Sequence, residues 1–444
     1  MSNSLRVFFF ALFIRLFYIF VFVDLEGLST EDQALYLQSA QSVLGYGLSS
    51  VTPERVPGYP IFIALLSIPF GHSNLMLLVT QALIDSTTCV LVGLLTWNVT
   101  GRGYHVAGVL SALNLNMVVL SAMVLTETLF LFFFTLFLNF LVRFVKQHST
   151  INQMCCVLFL CLATMTRSAS YLLIPAIFIG LTILSFSVSK TAKRTSIQLL
   201  TGIALVTALL GSQHIRNWQE YGSFSFVSQG GTTLLGWVVP ASYQYSGQGS
   251  YQQGQMLART RLELKMVGDG LVTLPLNPFD ASEYQTAIAI SILNELGWVN
   301  LIKAWGVGAA INLAAPSAAF APAVRAMKHS SFYETDGRGI LEKIVKYLTD
   351  MSNASYLAIL TIGSVTSLIF LLGTVVGWWQ FLRVAFSRPG NDEKVILIAF
   401  SILIAYFLVI TGPIIGTKYR LPIEPIMTVL ATFALYRFLP GIKR

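Results

Sequence analysis

Charged side chains are scarce in this chain of 444 residues, where Asp, Glu, Lys and Arg together make up only 11%. An ordinary soluble domain has about 25% charged residues. Hydrophobic residues make up 55%, and the mean hydropathy is +0.70. So few charges cannot cover a water-facing surface, which excludes a soluble enzyme, a disordered protein and a fibrous protein. The composition indicates a protein surrounded largely by lipid.

Cysteine and histidine are also few. Cys89, Cys155, Cys156 and Cys161 all lie in apolar segments, which is typical of small core residues rather than of a disulfide or zinc framework. The five histidines have no metal-ligand spacing. A Walker-type phosphate loop and a serine nucleophile elbow are both missing. The sequence therefore predicts no metal site and no cofactor, although it does not decide whether a divalent metal takes part.

The net charge of +8 could indicate nucleic-acid binding, but the positions of the cations argue otherwise. They lie in short loops between apolar runs, and no Lys/Arg tract has interleaved aromatic residues. This distribution is typical of membrane topology signals. We expect the bilayer as a partner and no nucleic acid.

Runs of about 20 apolar residues, the length that crosses the hydrocarbon core, occur about ten times. We therefore predict an all-α polytopic membrane protein, with residues 1–444 forming one integral membrane domain. The predicted spans start near Leu5, Asn74, Tyr104, Val124, Asn152, Ser168, Ser196, Ala354, Val395 and Leu421.

The loop charges predict that both termini lie in the cytoplasm. Residues 24–73 then form a first extracytoplasmic loop, and residues 213–350 form a larger second region on the same side. Within the second region, residues 229–254 are predicted to be loop and residues 256–266 a short helix. The apolar segment 298–322 would place C-terminal cations outside if it spanned, so we expect an interfacial or re-entrant element there.

The first extracytoplasmic loop contains the most informative polar residues. Ser29 or Thr30 can cap a helix whose first turn holds Glu31 and Asp32. Asp32 and Tyr36 lie on one face of this amphipathic helix, which is expected to lie on the membrane surface. Two interpretations of Asp32 are open: an ordinary charge at a helix N-terminus, or a general base acting on a hydroxyl.

A proline-rich turn, Arg55-Val56-Pro57-Gly58-Tyr59-Pro60, ends the same loop. The prolines stiffen the chain, and Gly58 permits a tight turn. Arg55 can bind a phosphate headgroup through two hydrogen bonds, or it can simply extend to the membrane interface.

Charges within the predicted spans are costly and need partners. Arg15 and Asp85 lie at a similar depth, roughly 13–16 Å below the surface at 1.5 Å per residue, so we predict that they form a structural ion pair. Glu127 lies one turn into the fourth span. It is either a second acid at the site or an acid that extends to the interface.

Several cations on the predicted outer side oppose the usual charge bias of membrane proteins. Arg167 ends the fifth span, and Lys418, Tyr419 and Arg420 precede the last span. An anion bound at the outer leaflet would explain them. The alternative is a pair with Glu424 or with an ordinary lipid phosphate.

The order of these motifs resembles the dolichyl-phosphate-mannose–protein mannosyltransferase family and its bacterial relatives, including the aminoarabinose transferases, which are GT-C class glycosyltransferases. The resemblance runs along nearly the whole chain, although each motif is short. The matching positions are Arg15; Asp32, Tyr36, Leu37 and Ala40; Arg55 to Pro60; Thr126-Glu127; Arg167; Arg216-Asn217; and Tyr419-Arg420-Leu421-Pro422 with Pro425.

The resemblance implies a GT-C-like helical bundle that transfers a sugar, with inversion, from a polyprenyl-phosphate donor to a glycan, lipid or protein acceptor. It implies a bacterial inner membrane location with the site facing the periplasm. Asp32 would be the general base, and Glu127 a second catalytic acid. Relatives often have Asp-Glu where this chain has Glu31-Asp32, which leaves open which acid is the base. The substrate-binding candidates are Glu31, Tyr36, Arg55, Tyr59, Arg167, Lys418, Tyr419 and Arg420.

Two other classes of protein remain as alternatives. A transporter or flippase for lipid-linked glycans predicts polar residues through the middle of several spans, whereas the polar clusters here gather at one interface. A polymerase or ligase shares the large outer loop but predicts Arg-rich outer loops rather than an acid at the head of the first one.

Overall fold

A computed structural model describes residues 3–25, 31–47, 50–188, 192–327, 340–387 and 391–438. These residues are overwhelmingly helical, and no strand occurs within the described ranges. The first ten helices are α1 (Asn3–Phe22), α2 (Glu31–Tyr46), α3 (Gly58–Phe70), α4 (Asn74–Thr100), α5 (Tyr104–Leu113), α6 (Leu115–Ser121), α7 (Glu127–Gln147), α8 (Thr150–Thr166), α9 (Leu173–Val188) and α10 (Ala192–Tyr221).

The second half of the chain adds ten more helices and several short turns. The helices are α11 (Gly230–Thr233), α12 (Val239–Tyr245), α13 (Tyr251–Gly268), α14 (Pro278–Leu296), α15 (Trp298–Ala314), α16 (Pro322–Arg325), α17 (Ile340–Thr349), α18 (Ala354–Ser387), α19 (Asp392–Thr411) and α20 (Glu424–Phe438). The turns are a π-helical one at Leu234–Val238 and 3₁₀ turns at Ser168–Ser170, Ser317–Phe320, Met351–Asn353, Thr417–Tyr419 and Leu421–Ile423.

Seven helical segments of the described chain are long and apolar enough to cross a membrane, or up to nine if each of two bent helix pairs counts as one span. The seven are Asn3–Phe22, Asn74–Thr100, Glu127–Gln147, Ser168–Phe186, Thr195–Tyr221, Met351–Ser387 and Asp392–Thr411. The chain is therefore an all-α polytopic membrane protein, as its composition predicts.

The estimate of about ten spans exceeds this count because three of the predicted spans are short or broken. Helix α8 has 17 residues and α20 has 15. The span predicted from Tyr104 is a pair, α5 and α6, bent by 57°. Asn114 causes the break, since its side chain accepts hydrogen bonds from the N–H groups of Asn116 and Met117 and so caps a new helix.

Residues 298–322 do not form a straight span. Helix α15 turns by 102° from α14 at Gly297, whose φ of +79° lies in the left-handed region that favours glycine. This geometry fits a broken span or a re-entrant loop, so the interfacial or re-entrant element stays a prediction.

The predicted loop at residues 229–254 is wrong over most of its length, because Gly230 to Tyr245 is helical. Gly231 serves close packing here rather than a turn. A Cβ on Gly231 would collide with the carbonyl oxygen of Ser282 on α14. The apolar side chains Leu235 and Val239 pack with Ala258, Ile288 and Ile292 in a separate small core. The short helix predicted at 256–266 is present within α13.

The main core lies where α7 packs against α4, α8 and α19. Phe130, Phe134 and Phe137 of α7 are fully buried, and the Phe134 ring centroid lies 5.3 Å from that of Phe407 on α19. This core fixes two helix ends that carry charged residues. Glu127 lies at the start of α7, and Arg167 lies directly after α8.

Arg15 and Asp85 are in contact, as their depths in the sequence predict. The Arg15 Nε lies 2.7 Å from Asp85 Oδ2, and both side chains are buried. Arg15 Nη1 also donates to the carbonyl oxygen of Ala112 at 2.8 Å. These bonds join α1 to α4 and α5, which is a structural role.

Candidate functional site

A cavity of about 570 Å³ lies where the start of α2, the start of α7, the end of α8 and the middle and end of α19 meet the turn before α20. Its ionisable lining residues are Asp32, Glu54, Arg55, Glu127, Arg167 and Lys418, together with the tyrosines Tyr36, Tyr171, Tyr406 and Tyr419. Apolar residues complete the wall. They come from α19 and the turn after it, from the segment 226–238 and from the residue before α9, and they include Leu172, Phe226, Leu234, Val238, Phe407, Ile410 and Ile414. The cavity therefore has a charged part and an apolar part.

Asp32 faces a different cation with each of its two carboxylate oxygens. Arg55 Nη2 donates to Oδ1 at 2.7 Å, and Lys418 Nζ lies 3.9 Å from Oδ2. The sequence distances are 23 residues to Arg55 and several hundred to Lys418, so only the fold brings the three together. The Arg55 guanidinium carbon also lies 4.7 Å from the centroid of the Tyr36 ring, a cation–π distance.

These neighbours keep Asp32 ionised. Burial alone would raise the pKa of Asp32, but the hydrogen bond and the charge of Arg55, together with the charges of Lys418 and Arg167, lower the pKa below its ordinary value. The Asp32 side chain is nevertheless 43% exposed, so the carboxylate can still reach a molecule in the cavity.

Glu127 and Arg167 form a second, more closed pair. Arg167 Nη1 donates to Glu127 Oε1 at 2.7 Å, and Thr126 Oγ1 donates to Glu127 Oε2 at 3.2 Å. Glu127 is 3% exposed. Glu127 therefore does not extend to the membrane interface, and it holds Arg167 at the cavity wall, where the guanidinium carbon lies 5.8 Å from the Tyr419 ring centroid.

Tyr59, a predicted substrate-binding residue, does not line the cavity and is corrected to a supporting residue. Its side chain is fully buried, and its hydroxyl donates to Gln81 Oε1 at 2.6 Å. Its ring packs edge-on against Tyr36, with ring centroids 5.1 Å apart. Tyr59 therefore supports Tyr36, which does line the cavity. Helix α2 begins at Glu31, but the Glu31 side chain lies outside the described residues.

Arg420 is the second correction, since it does not line the cavity that holds Asp32. Its Nε donates to Glu424 Oε1 at 2.7 Å, and its Nη1 donates to the carbonyl oxygen of Leu313 at 2.7 Å. It is 3% exposed. Lys418 and Tyr419 in the 3₁₀ turn at 417–419 line the cavity, whereas the next residue, Arg420, pairs with the buried Glu424. The alternative interpretation, a pair with Glu424, is therefore the one observed for Arg420.

An aromatic wall of the cavity was missed by the sequence reasoning. The rings of Tyr171 and Phe226 stack with centroids 4.6 Å apart and an interplanar angle of 11°. Asn217 holds this segment, since its Nδ2 donates to the carbonyl oxygens of Ser225 and Phe226. The Arg216-Asn217 motif could have pointed to this wall, because the side-chain amide of Asn has two N–H donors that can hold a loop backbone.

Tyr406 of α19 is a further cavity residue that the sequence reasoning did not select. Its hydroxyl donates to the carbonyl oxygen of Ala169 at 2.7 Å. This bond ties the turn after Arg167 to α19. A tyrosine in the middle of an apolar span could have indicated this contact, since a buried phenol hydroxyl usually has a hydrogen-bond partner.

A larger groove of about 820 Å³ lies elsewhere, between α5, α18 and α20. Its walls are mostly apolar, and among the described lining residues the one charged side chain is Arg420, which is already paired with Glu424. It lacks a carboxylate, so the smaller cavity around Asp32 is the candidate site. In the described part of the chain, no three His, Cys, Asp or Glu side chains cluster in a way that could hold a metal ion.

Comparison with known proteins assigns no family. No protein-family model and no curated protein matches the chain. Two solved structures of ArnT from Cupriavidus metallidurans are similar to it at 13% identity, one in the apo state and one bound to undecaprenyl phosphate. Each match covers 99% of this chain; the apo structure is covered to 79% with a TM-score of 0.41, and the bound structure to 77% with a TM-score of 0.38. A likeness at this level assigns neither a family nor an activity to the chain.

Proposed function

We propose that this chain is a membrane glycosyltransferase of the GT-C type. It transfers a sugar from a polyprenyl-phosphate donor to an acceptor hydroxyl on the extracytoplasmic side of a bacterial inner membrane. The observation that carries the proposal is the cavity itself, in which an exposed carboxylate, Asp32, lies among Arg55, Lys418 and Arg167 and next to an apolar wall. A lipid-linked sugar phosphate requires these same features: a base, cations and an apolar surface.

The reaction follows from these roles. Asp32 takes the proton of the acceptor hydroxyl, and the acceptor oxygen forms a bond to the anomeric carbon. The bond between that carbon and the phosphate oxygen breaks, and its electron pair leaves with the polyprenyl phosphate. Attack from the face opposite the leaving phosphate inverts the anomeric centre. The phosphate gains a negative charge in this step, and cations placed beside it stabilise that charge.

The other cavity residues have supporting roles in this mechanism. Arg55 and Lys418 bind the phosphate, since they already lie beside the base. Glu127 is a positioning residue for Arg167 rather than a second base, because it is buried and engaged. Tyr36 and Tyr419 pack against guanidinium groups and hold them in place. The apolar wall of α19 accommodates the first isoprene units.

The test uses the full chain in lipid nanodiscs with a panel of undecaprenyl-phosphate monosaccharides and a cell-envelope extract as the source of acceptors. Release of undecaprenyl phosphate that depends on the extract is the expected result for one donor of the panel. Asp32→Asn should lower this release by roughly 10²- to 10⁴-fold, the usual contribution of a general base, with an unchanged unfolding temperature.

The control is Asp269→Asn, which removes an exposed, paired acid directly after α13 and outside the cavity, and it should leave the release unchanged. Near-normal release by Asp32→Asn would remove Asp32 from the role of base. Movement of intact donor across a vesicle membrane without release of polyprenyl phosphate would instead favour a transporter or flippase.

A further inference from the structure

Among the described residues, the acids and the cations that line the cavity are equal in number. The three acids are Asp32, Glu54 and Glu127, and the three cations are Arg55, Arg167 and Lys418. Because these charges cancel, a phosphate does not enter a strongly positive site. To bind either guanidinium group, it has to compete with the carboxylate already bonded to that group.

The two guanidinium groups differ in how firmly they are held. The partner of Arg167 is Glu127, whose side chain is only 4% exposed and receives a second hydrogen bond from Thr126. The partner of Arg55 is Asp32, whose side chain is 43% exposed. Separating a guanidinium from a buried carboxylate leaves an uncompensated buried charge and is strongly unfavourable, whereas an exposed carboxylate can be solvated. Arg55 is therefore the guanidinium that can change partner at the lower cost.

Lys418 gives Asp32 a second cation that is not fully engaged. Its Nζ lies 3.9 Å from Asp32 Oδ2, beyond hydrogen-bond distance, and among the described residues it donates no hydrogen bond. It can therefore stay near the carboxylate or contact an incoming phosphate without first breaking a strong bond.

We propose that Arg55 is a shared partner that leaves Asp32 for the phosphate of the donor, so that donor binding itself releases the carboxylate that acts as base. This inference rests on the proposed function and deepens it, since it says how the donor and the base of the same cavity are coupled. It makes the donor the first substrate to bind and gives Arg55 a positioning role in addition to its contact with phosphate.

The chemistry of the groups favours this exchange. A guanidinium has five N–H donors in a planar fork, and it can bind a phosphate with two parallel hydrogen bonds, whereas only Nη2 bonds to Asp32 here. The charge that the phosphate gains on leaving then develops beside Arg55, where the interaction is needed most.

The exchange also makes Asp32 a better base. The groups that face it are Arg55, Lys418 from the turn before α20, Arg167 from the end of α8 and Tyr36 on its own helix. Once Arg55 bonds to the phosphate, the largest cause that lowers the pKa of Asp32 is removed and burial opposes the charged form. A carboxylate with a higher pKa accepts the proton of a hydroxyl more readily.

A double-mutant cycle on lipid affinity tests the exchange. The dissociation constant of undecaprenyl phosphate is measured for the full native chain in nanodiscs and for Asp32→Asn, Arg55→Gln and the double variant. If Asp32 competes with the phosphate for Arg55, Asp32→Asn binds the lipid several-fold more tightly than the native chain although it is the catalytically dead variant. In the Arg55→Gln background the same change should give a clearly smaller gain, because there is no shared guanidinium to release.

Two outcomes would overturn the exchange. An equal gain in both backgrounds would mean that Asp32 only repels the phosphate, and no gain in the native background would mean that Asp32 and the phosphate do not compete. Asp269→Asn, an acid outside the cavity, is the matched control and should leave the constant unchanged. If Arg55 is merely structural, Arg55→Gln weakens lipid binding, and the effect of Asp32→Asn is the same with and without Arg55.

A density map of the chain with undecaprenyl phosphate bound decides the same question when a variant binds too weakly to be measured. Arg55 on the phosphate and out of hydrogen-bond distance of Asp32 is the expected result. Arg55 still on Asp32, with the phosphate on Lys418 alone, overturns the exchange. Failure of the native chain to bind undecaprenyl phosphate at all would count against the proposed donor class, which is a different result from binding without exchange.

Discussion

Two arginine–carboxylate pairs of equal length differ in their surroundings in this molecule. Arg15–Asp85 and Arg55–Asp32 both have an N–O distance of 2.7 Å. The side chains of the first pair are 0% and 2% exposed, and those of the second are 16% and 43% exposed. Arg15 also bonds to the carbonyl oxygen of Ala112, whereas the cavity lies beside Arg55 and Asp32. The two pairs have the same length, and only the pair at the cavity keeps access to solvent.

The largest expected effect concerns the closed pair. Arg15→Leu should lower the free energy of unfolding by about 3–5 kcal/mol, because it leaves a buried carboxylate without its partner. The double change Arg15→Leu/Asp85→Leu should recover a large part of this loss. Thermal unfolding of the detergent-solubilised chain, followed by intrinsic fluorescence, measures both. Losses that simply add would show that the two charges do not stabilise each other.

Arg55→Ala sharpens the contrast, because the open pair should tolerate the loss of its arginine. We expect an unfolding temperature close to the native one and a KM for the lipid donor that rises several-fold more than the KM for the acceptor. Arg420→Ala is the informative companion, since Arg420 lies outside the cavity. This change should lower the unfolding temperature, because it leaves the buried Glu424 without its arginine partner. Equal effects of Arg55→Ala on both substrates would restrict Arg55 to membrane anchoring.

The pH dependence of activity gives a smaller effect with a definite sign. The lowered pKa of Asp32 keeps the carboxylate ionised to lower pH, so kcat/KM should fall only as the pH drops through that lowered value. Arg55→Gln removes the main lowering cause and leaves burial, which acts in the opposite direction. The acid limb of kcat/KM should therefore move to higher pH in Arg55→Gln. A limb that stays in place would mean that another group titrates.

The smallest expected effect is that of Tyr406→Phe, which removes one hydrogen bond to the carbonyl oxygen of Ala169. A net loss of about 1 kcal/mol in stability follows from the usual value of one such bond. Because this bond ties the turn after Arg167 to α19, the donor KM should rise slightly. A kcat reduced as strongly as in Asp32→Asn would instead give Tyr406 a direct catalytic role.

The individual residues show how far sequence reasoning reaches. The contact between Arg15 and Asp85 was predictable because helical rise converts sequence distance into depth. The contact between Lys418 and Asp32 was not, since it depends on how the turn before α20 packs against α2. Arg420 shows the same limit: the sequence placed Lys418, Tyr419 and Arg420 together as one basic cluster, but a 3₁₀ turn directs neighbouring residues in different directions.

The amino-acid sequence by itself determined that this protein is helical and spans a membrane, because so few charges cannot cover a surface in water. It also determined which segments are apolar, and that Arg15 and Asp85 lie at one depth. Only the tertiary structure decided which carboxylate keeps access to a cavity and which guanidinium groups are already satisfied. Those properties depend on how helix ends that are far apart in the chain pack together, and no local pattern of residues predicts that packing.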